Sequence, residues 1–70
     1  MERTAVQSTD LAIVGYDETT QTLEVTFRRG GVYQYQGVTE KVYQSLMSSP
    51  SHGTYFNTYI KDQYPCSKVS

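Results

Sequence analysis

Leu23-Glu24-Val25-Thr26-Phe27-Arg28-Arg29-Gly30-Gly31-Val32-Tyr33-Gln34-Tyr35-Gln36-Gly37 decides the fold. Leu23, Val25 and Phe27 alternate with Glu24, Thr26 and Arg28, the period of two that marks a half-buried strand. Gly30-Gly31 tolerates the positive φ of a tight reversal, and Val32 to Gln36 runs back as a second strand. Tyr33 and Tyr35 share one face of it, because side chains at i and i+2 of a strand point the same way.

Which face they share depends on the bend. A two-residue turn, Arg29-Gly30, sets Thr26 opposite Tyr33 and Glu24 opposite Tyr35, and turns both rings away from Leu23, Val25 and Phe27. A three-residue loop with a bulge, Arg29-Gly30-Gly31, sets Phe27 opposite Tyr33 and Val25 opposite Tyr35, and brings the rings to the core side. A slip of one residue exchanges the two outcomes. The hydrophobic pattern favours the bulged loop, because the other register spends Val25 and Leu23 on glutamines.

Outward from the hairpin, Leu11 to Tyr16 reads as a strand with apolar residues on both faces, joined to Leu23 by the polar turn Asp17-Glu18-Thr19-Thr20-Gln21. Downstream, Thr39 is a helix cap ahead of Glu40, whose carboxylate suits the helix N-terminus. Val38 and Tyr43 have the spacing of a hydrophobic staple, and Val42, Leu46 and Met47 form a helical stripe. Ser48-Ser49-Pro50 interrupts it. Ser51 caps a second short helix with Tyr55, Phe56, Tyr59 and Ile60 on its apolar face, and Pro65 stops it. The expected architecture is α+β: a three-stranded antiparallel β-meander followed by two short helices packed on one face. Residues 1–7 are read as a flexible N-terminus, 8–64 as the domain, and 65–70 as a C-terminal tail.

Seventy residues make one domain with little core to spare. A single cysteine, Cys66, excludes an internal disulfide. With no apolar leader at Met1 and no long apolar run, a soluble cytoplasmic protein with no membrane partner is expected. The net charge of -1 is unevenly spread. Residues 1–24 carry Arg3 against Glu2, Asp10, Asp17, Glu18 and Glu24. Residues 25–70 carry Arg28, Arg29, Lys41, Lys61 and Lys68 against Glu40 and Asp62, so a basic face is compatible with the acidic total.

Tyr33 and Tyr35, if exposed, suit stacking on unpaired bases, with Arg28, Arg29, Lys41 and Lys61 as phosphate contacts. The bland readings are a core-edge tyrosine pair and a solvated hairpin tip. Ser51 and Gly53 at the second helix start suit an anion, or simply an ordinary cap. The sole His52 and sole Cys66 come with no orienting group or oxyanion hole, so no catalytic residue is assigned. No metal site is assigned, since four closely spaced ligands are lacking. No phosphate-binding glycine loop is present, and no cofactor is expected.

Val14-Gly15-Tyr16-Asp17, Leu23-Glu24-Val25-Thr26-Phe27, Tyr33-Gln34-Tyr35 with Gly37-Val38, and Ser51-His52-Gly53 running into Tyr55-Phe56-Asn57 and Ile60 together resemble the KTSC domain family. The resemblance covers roughly residues 8 to 64. Thr39 stands where many relatives have proline. The family takes its name from an appendage at the C-terminus of some bacterial lysyl-tRNA synthetases, and also occurs as free-standing small proteins. It implies a non-catalytic accessory module whose partner is RNA, tRNA-like by association. The alternative is an unidentified protein partner bound at an exposed sheet edge.

Overall fold

A computed structural model describes all seventy residues, Met1–Ser70. The central hairpin joins a strand at Thr22–Phe27 to one at Val32–Gln36 through Arg28-Arg29-Gly30. The Gly30 N–H donates to the Phe27 carbonyl at 3.0 Å, and the Phe27 N–H donates to the Gly31 carbonyl at 3.1 Å. Gly30 and Gly31 have φ of 113° and 95°, a region that strongly favours glycine. The loop does have three residues, but it begins one residue earlier than the sequence reading puts it. Val25 therefore pairs with Tyr33 and Leu23 with Tyr35, in place of the expected Phe27–Tyr33 and Val25–Tyr35. A slide of two residues preserves the face, so both tyrosines stand with Leu23 and Val25 on the core side.

The sheet has five antiparallel strands, not three, in the order β1 (Glu2–Ala5), β2 (Leu11–Asp17), β3 (Thr22–Phe27), β4 (Val32–Gln36), β5 (Cys66–Lys68). β1 and β5 are edge strands, and every side chain on them is exposed. Backbone pairing with β2 and β4 holds them, so a hydrophobic pattern does not reveal them. In β2 a bulge between Leu11 and Ile13 inserts Ala12 opposite β3. It lets Leu11 and Val14, three apart, both face the core, which accounts for a strand that reads as apolar on both sides.

Helix α1 (Glu40–Ser48) is capped by Thr39, whose hydroxyl accepts from the Val42 N–H at 3.4 Å. The Tyr16 and Tyr43 rings stack at 4.6 Å, and the Tyr16 hydroxyl donates to the Val38 carbonyl, which pins the helix entry to β2. Ser51 caps α2 (His52–Tyr55), accepting from the Thr54 N–H at 3.3 Å. α2 then widens into a π-helical turn at Phe56–Ile60, where the Lys61 N–H reaches back to the Phe56 carbonyl at 2.9 Å. Such wide turns re-aim side chains and recur at functional sites. The helices lie on one face of the sheet. Leu46, Phe56 and Ile60 meet Leu11, Val14, Leu23, Val25, Tyr35 and Val38 in one core. Tyr59, read as part of the apolar face, is 57% exposed instead and leans on Tyr55.

The opposite sheet face carries a buried carboxylate. Glu24 is 6% exposed. It accepts from Arg3 Nε at 2.7 Å and from Gln34 Nε2 at 3.0 Å. Arg3 and Glu24 both pair with Gly15 across β2, so the missing side chain there lets the guanidinium cross the strand. Hydrogen bonds from Arg3, then Gln34, hold the Glu24 pKa below the ordinary carboxylate range. Its stabilisation is present above the unfolded pKa of about 4.3 and lost as pH falls through the folded one. The midpoint of urea unfolding should drop more steeply on acidification in the parent chain than in Glu24→Gln. Parallel acid limbs would refute this role.

Candidate functional site

Where the hairpin tip, the π-turn and β5 converge, a cleft of about 590 Å³ opens beside the core. That volume lies in the ordinary range for a small-ligand pocket. Its wall is aromatic: Phe27, Tyr33, Tyr35 and Tyr64. The Phe27 and Tyr33 rings meet edge to face at 5.5 Å, and Tyr35 meets Phe56 in the same way at 5.3 Å. β4 fixes the tyrosine spacing, and Phe56 braces the rings from the core.

Two cations and two carboxylates share this cleft: Arg29 from the hairpin tip, Lys61 from the end of the π-turn, Asp10 from the loop before β2, and Asp62 beside Lys61. None of the four belongs to an ion pair, because the single ion pair of the molecule is Arg3–Glu24 on the other face.

Tyr35 is 5% exposed. Its hydroxyl makes no hydrogen bond within the chain, yet no buried side-chain polar atom is left without a partner. The hydroxyl is therefore the part of this residue that opens into the cleft. Burial, followed by the Cys66 and Tyr33 side chains and Asp62, pushes its pKa up to about 12. The phenol stays protonated at physiological pH and presents both a donor and an acceptor.

Four of the six residues that the sequence singles out for nucleic acid thus meet in one place: Arg29, Tyr33, Tyr35 and Lys61. Lys41 stands on α1, outside the cleft. Arg28 is occupied: its Nε donates to the Ser8 carbonyl, its Nη2 to the Val6 carbonyl at 3.0 Å, and its N–H to the Asp10 carbonyl at 2.9 Å. It fastens the hairpin tip to the loop before β2, and its guanidinium binds backbone. The Ser51 hydroxyl serves the Thr54 N–H and hydroxyl. Gly53 is buried where a Cβ would stand 3.2 Å from Ser8 Oγ and 3.4 Å from Asp10 Oδ2, so it admits the loop that carries Asp10. His52 Nδ1 donates to the Leu46 carbonyl at 2.9 Å and ties α2 to α1, while Cys66 lines the cleft.

Sequence reasoning missed Asp10, Asp62, Tyr64 and Cys66. Asp10 is in a loop, Asp62 follows a helix end at φ 70°, Tyr64 borders the segment read as a tail, and Cys66 lies within it. The signal that was there is Tyr64-Pro65: a large aromatic just before a residue that stops helices, and so one that requires a place to pack.

The KTSC domain profile matches residues 7–64. Over 64 residues the chain is 42% identical to an uncharacterized protein of Stutzerimonas stutzeri (strain A1501), covering 91% of this chain and 90% of that protein. Over 55 residues it is 40% identical to a lysine–tRNA ligase of Nostoc sp. (strain PCC 7120), covering 79% of this chain and 10% of the ligase. The chain therefore matches only about a tenth of that enzyme's length. The crystal structure of a KTSC domain protein from Yersinia pestis superposes with a TM-score of 0.96 at 39% identity, over 99% of this chain and 97% of that one. No helix of the chain is long and apolar enough to cross a membrane.

Proposed function

Because the chain belongs to the KTSC domain family, we propose that it is a non-catalytic accessory module that binds RNA in the cleft between the hairpin tip and β5. The observation that carries this reading is the convergence of Arg29 and Lys61 on a wall of tyrosines. Arg29 and Lys61 take phosphate, and the half-buried Tyr33 and Tyr64 rings offer apolar surface to a base. The lysine–tRNA ligase that contains a similar segment supports RNA as the partner class by association.

Two phosphate contacts imply weak binding. For single strands the logarithm of affinity falls with the logarithm of salt at about 0.7 per contact, so a slope of about −1.4 is expected. The experiment is an NMR titration of the isotopically labelled chain with bulk tRNA at several salt concentrations. Amide shifts should concentrate at residues 28–35 and 57–66. Arg29→Ala or Lys61→Ala should weaken binding and bring the slope to about −0.7 without altering stability. Arg28→Ala should lower stability instead, because it frees two carbonyls from their clamp. Silence of the cleft amides at low salt would remove the RNA reading. The backbone edges of β1 and β5 would then favour the rival, a protein partner that adds a strand to the sheet.

A further inference from the structure

Resting on that reading, we infer that the cleft receives the 3′-terminal nucleotide of an RNA chain, its ribose cis-diol held by Asp10 and Asp62 and its phosphate by Arg29 and Lys61. A groove built for a continuous strand needs cations along its whole track. This one has as many carboxylates as cations in about 590 Å³, within a molecule whose longest extent is 28 Å. A strand running through would carry phosphates past Asp10 and Asp62 at a Coulombic cost in a partly desolvated site. A chain end has no such onward phosphate. It presents two hydroxyls, and ionised carboxylates, which only accept, are the natural receivers for hydroxyl donors.

The same chemistry, acid on a ribose diol and cations on a phosphate, recurs in nucleotide sites. The Tyr35 hydroxyl adds a fixed donor and acceptor to the same cleft. It belongs to a residue 5% exposed, has no partner in the chain, and opens into this cleft. It can serve the 2′-hydroxyl, the group that distinguishes RNA from DNA.

The test compares tetranucleotide probes against the full chain by NMR or calorimetry. An RNA with a free 3′ end should bind about tenfold more tightly than the same RNA carrying a 3′-phosphate or a terminal 2′-deoxyribose, the scale of a lost hydrogen bond to a charged group. Asp10→Asn and Asp62→Asn, near-isosteric changes, should shrink that ratio toward unity while leaving the binding of the 3′-phosphate probe equal or stronger. Equal affinity for free and blocked ends overturns chain-end recognition and leaves RNA binding intact. Binding of 5′-AMP as tight as that of the oligonucleotide also overturns it, and reassigns the cleft to free nucleotides. Failure of every RNA probe, including bulk tRNA, overturns the RNA reading itself.

Discussion

Replacing Phe56 with alanine is expected to leave much of the chain unfolded at physiological temperature. Phe56 is 1% exposed and sits at the start of the π-turn, where its ring meets Phe27 edge to face at 5.6 Å and Tyr35 at 5.3 Å. Truncating a buried phenylalanine costs about 3–5 kcal/mol through lost burial and the void that remains. A domain of this size has a total stability on the order of 3–10 kcal/mol. The loss is thus comparable with the whole margin, and it also removes the brace behind the cleft. Urea unfolding followed by far-UV circular dichroism measures it. Tyr59→Ala, three residues further and 57% exposed, is the control and should fall within about 0.5 kcal/mol of the parent. Similar midpoints for the two variants would contradict the packing described above.

The second large effect appears in alkali. The Tyr35 phenol is buried, and its pKa lies at about 12, against about 10 for an unfolded tyrosine. The folded state therefore holds a proton that the unfolded state releases between those values. The associated stability is fully present below pH 10 and is lost as pH rises toward 12. Two pH units correspond to about 2.7 kcal/mol, and screening at a hydroxyl that opens into the cleft reduces this to on the order of 1–2 kcal/mol. Tyr35→Phe removes the titrating group. Its unfolding midpoint should therefore decline less than the parent's between mildly alkaline pH and pH 11.5. Ultraviolet titration should also lose one late-ionising phenol. Indistinguishable alkaline limbs in parent and variant would mean that the ring is less sequestered than its 5% exposure indicates.

Much of the fold was legible because it depends on the parity of a few residues. Leu23, Val25 and Phe27 are spaced by two, as are Tyr33 and Tyr35, and any loop that keeps both sets on one side gives the same core. The start of the loop is less legible. Arg28 and Arg29 suit a turn equally well, and carbonyls outside the hairpin, those of Val6, Ser8 and Asp10, claim Arg28 for the bend. β1 and β5 lay beyond reach for another reason: short and exposed on every side chain, they gain their place from main-chain pairing, joined in β1 by the Arg3–Glu24 ion pair, and neither leaves a hydrophobic pattern. The two helix caps, Thr39 and Ser51, were readable because capping is local chemistry.

The candidate site divides along the same line. Tyr33, Tyr35, Arg29 and Lys61 were visible as residue types, while the acids that share their cleft come from segments with no periodic signal. A carboxylate in a loop looks like any solvated charge until the chain brings it beside a cation and a ring. The equal count of opposite charges in the cleft is therefore a tertiary property.

In a meander that runs β1 to β5 in order, the two ends of the polypeptide emerge on opposite flanks. Four interstrand steps set β1 and β5 about 19 Å apart, and because Glu2 lies level with Cys66 while Ser70 lies level with Val32, the ends are also offset along the strands, so a circularising peptide would need more than about six extended residues. Splicing the domain into a tight loop of a host would force that loop apart by the same span, whereas tethering it by one end imposes no strain. A host attached through Met1 would hang from the flank farthest from Cys66 and Tyr64, and leave the mouth of the cleft unobstructed.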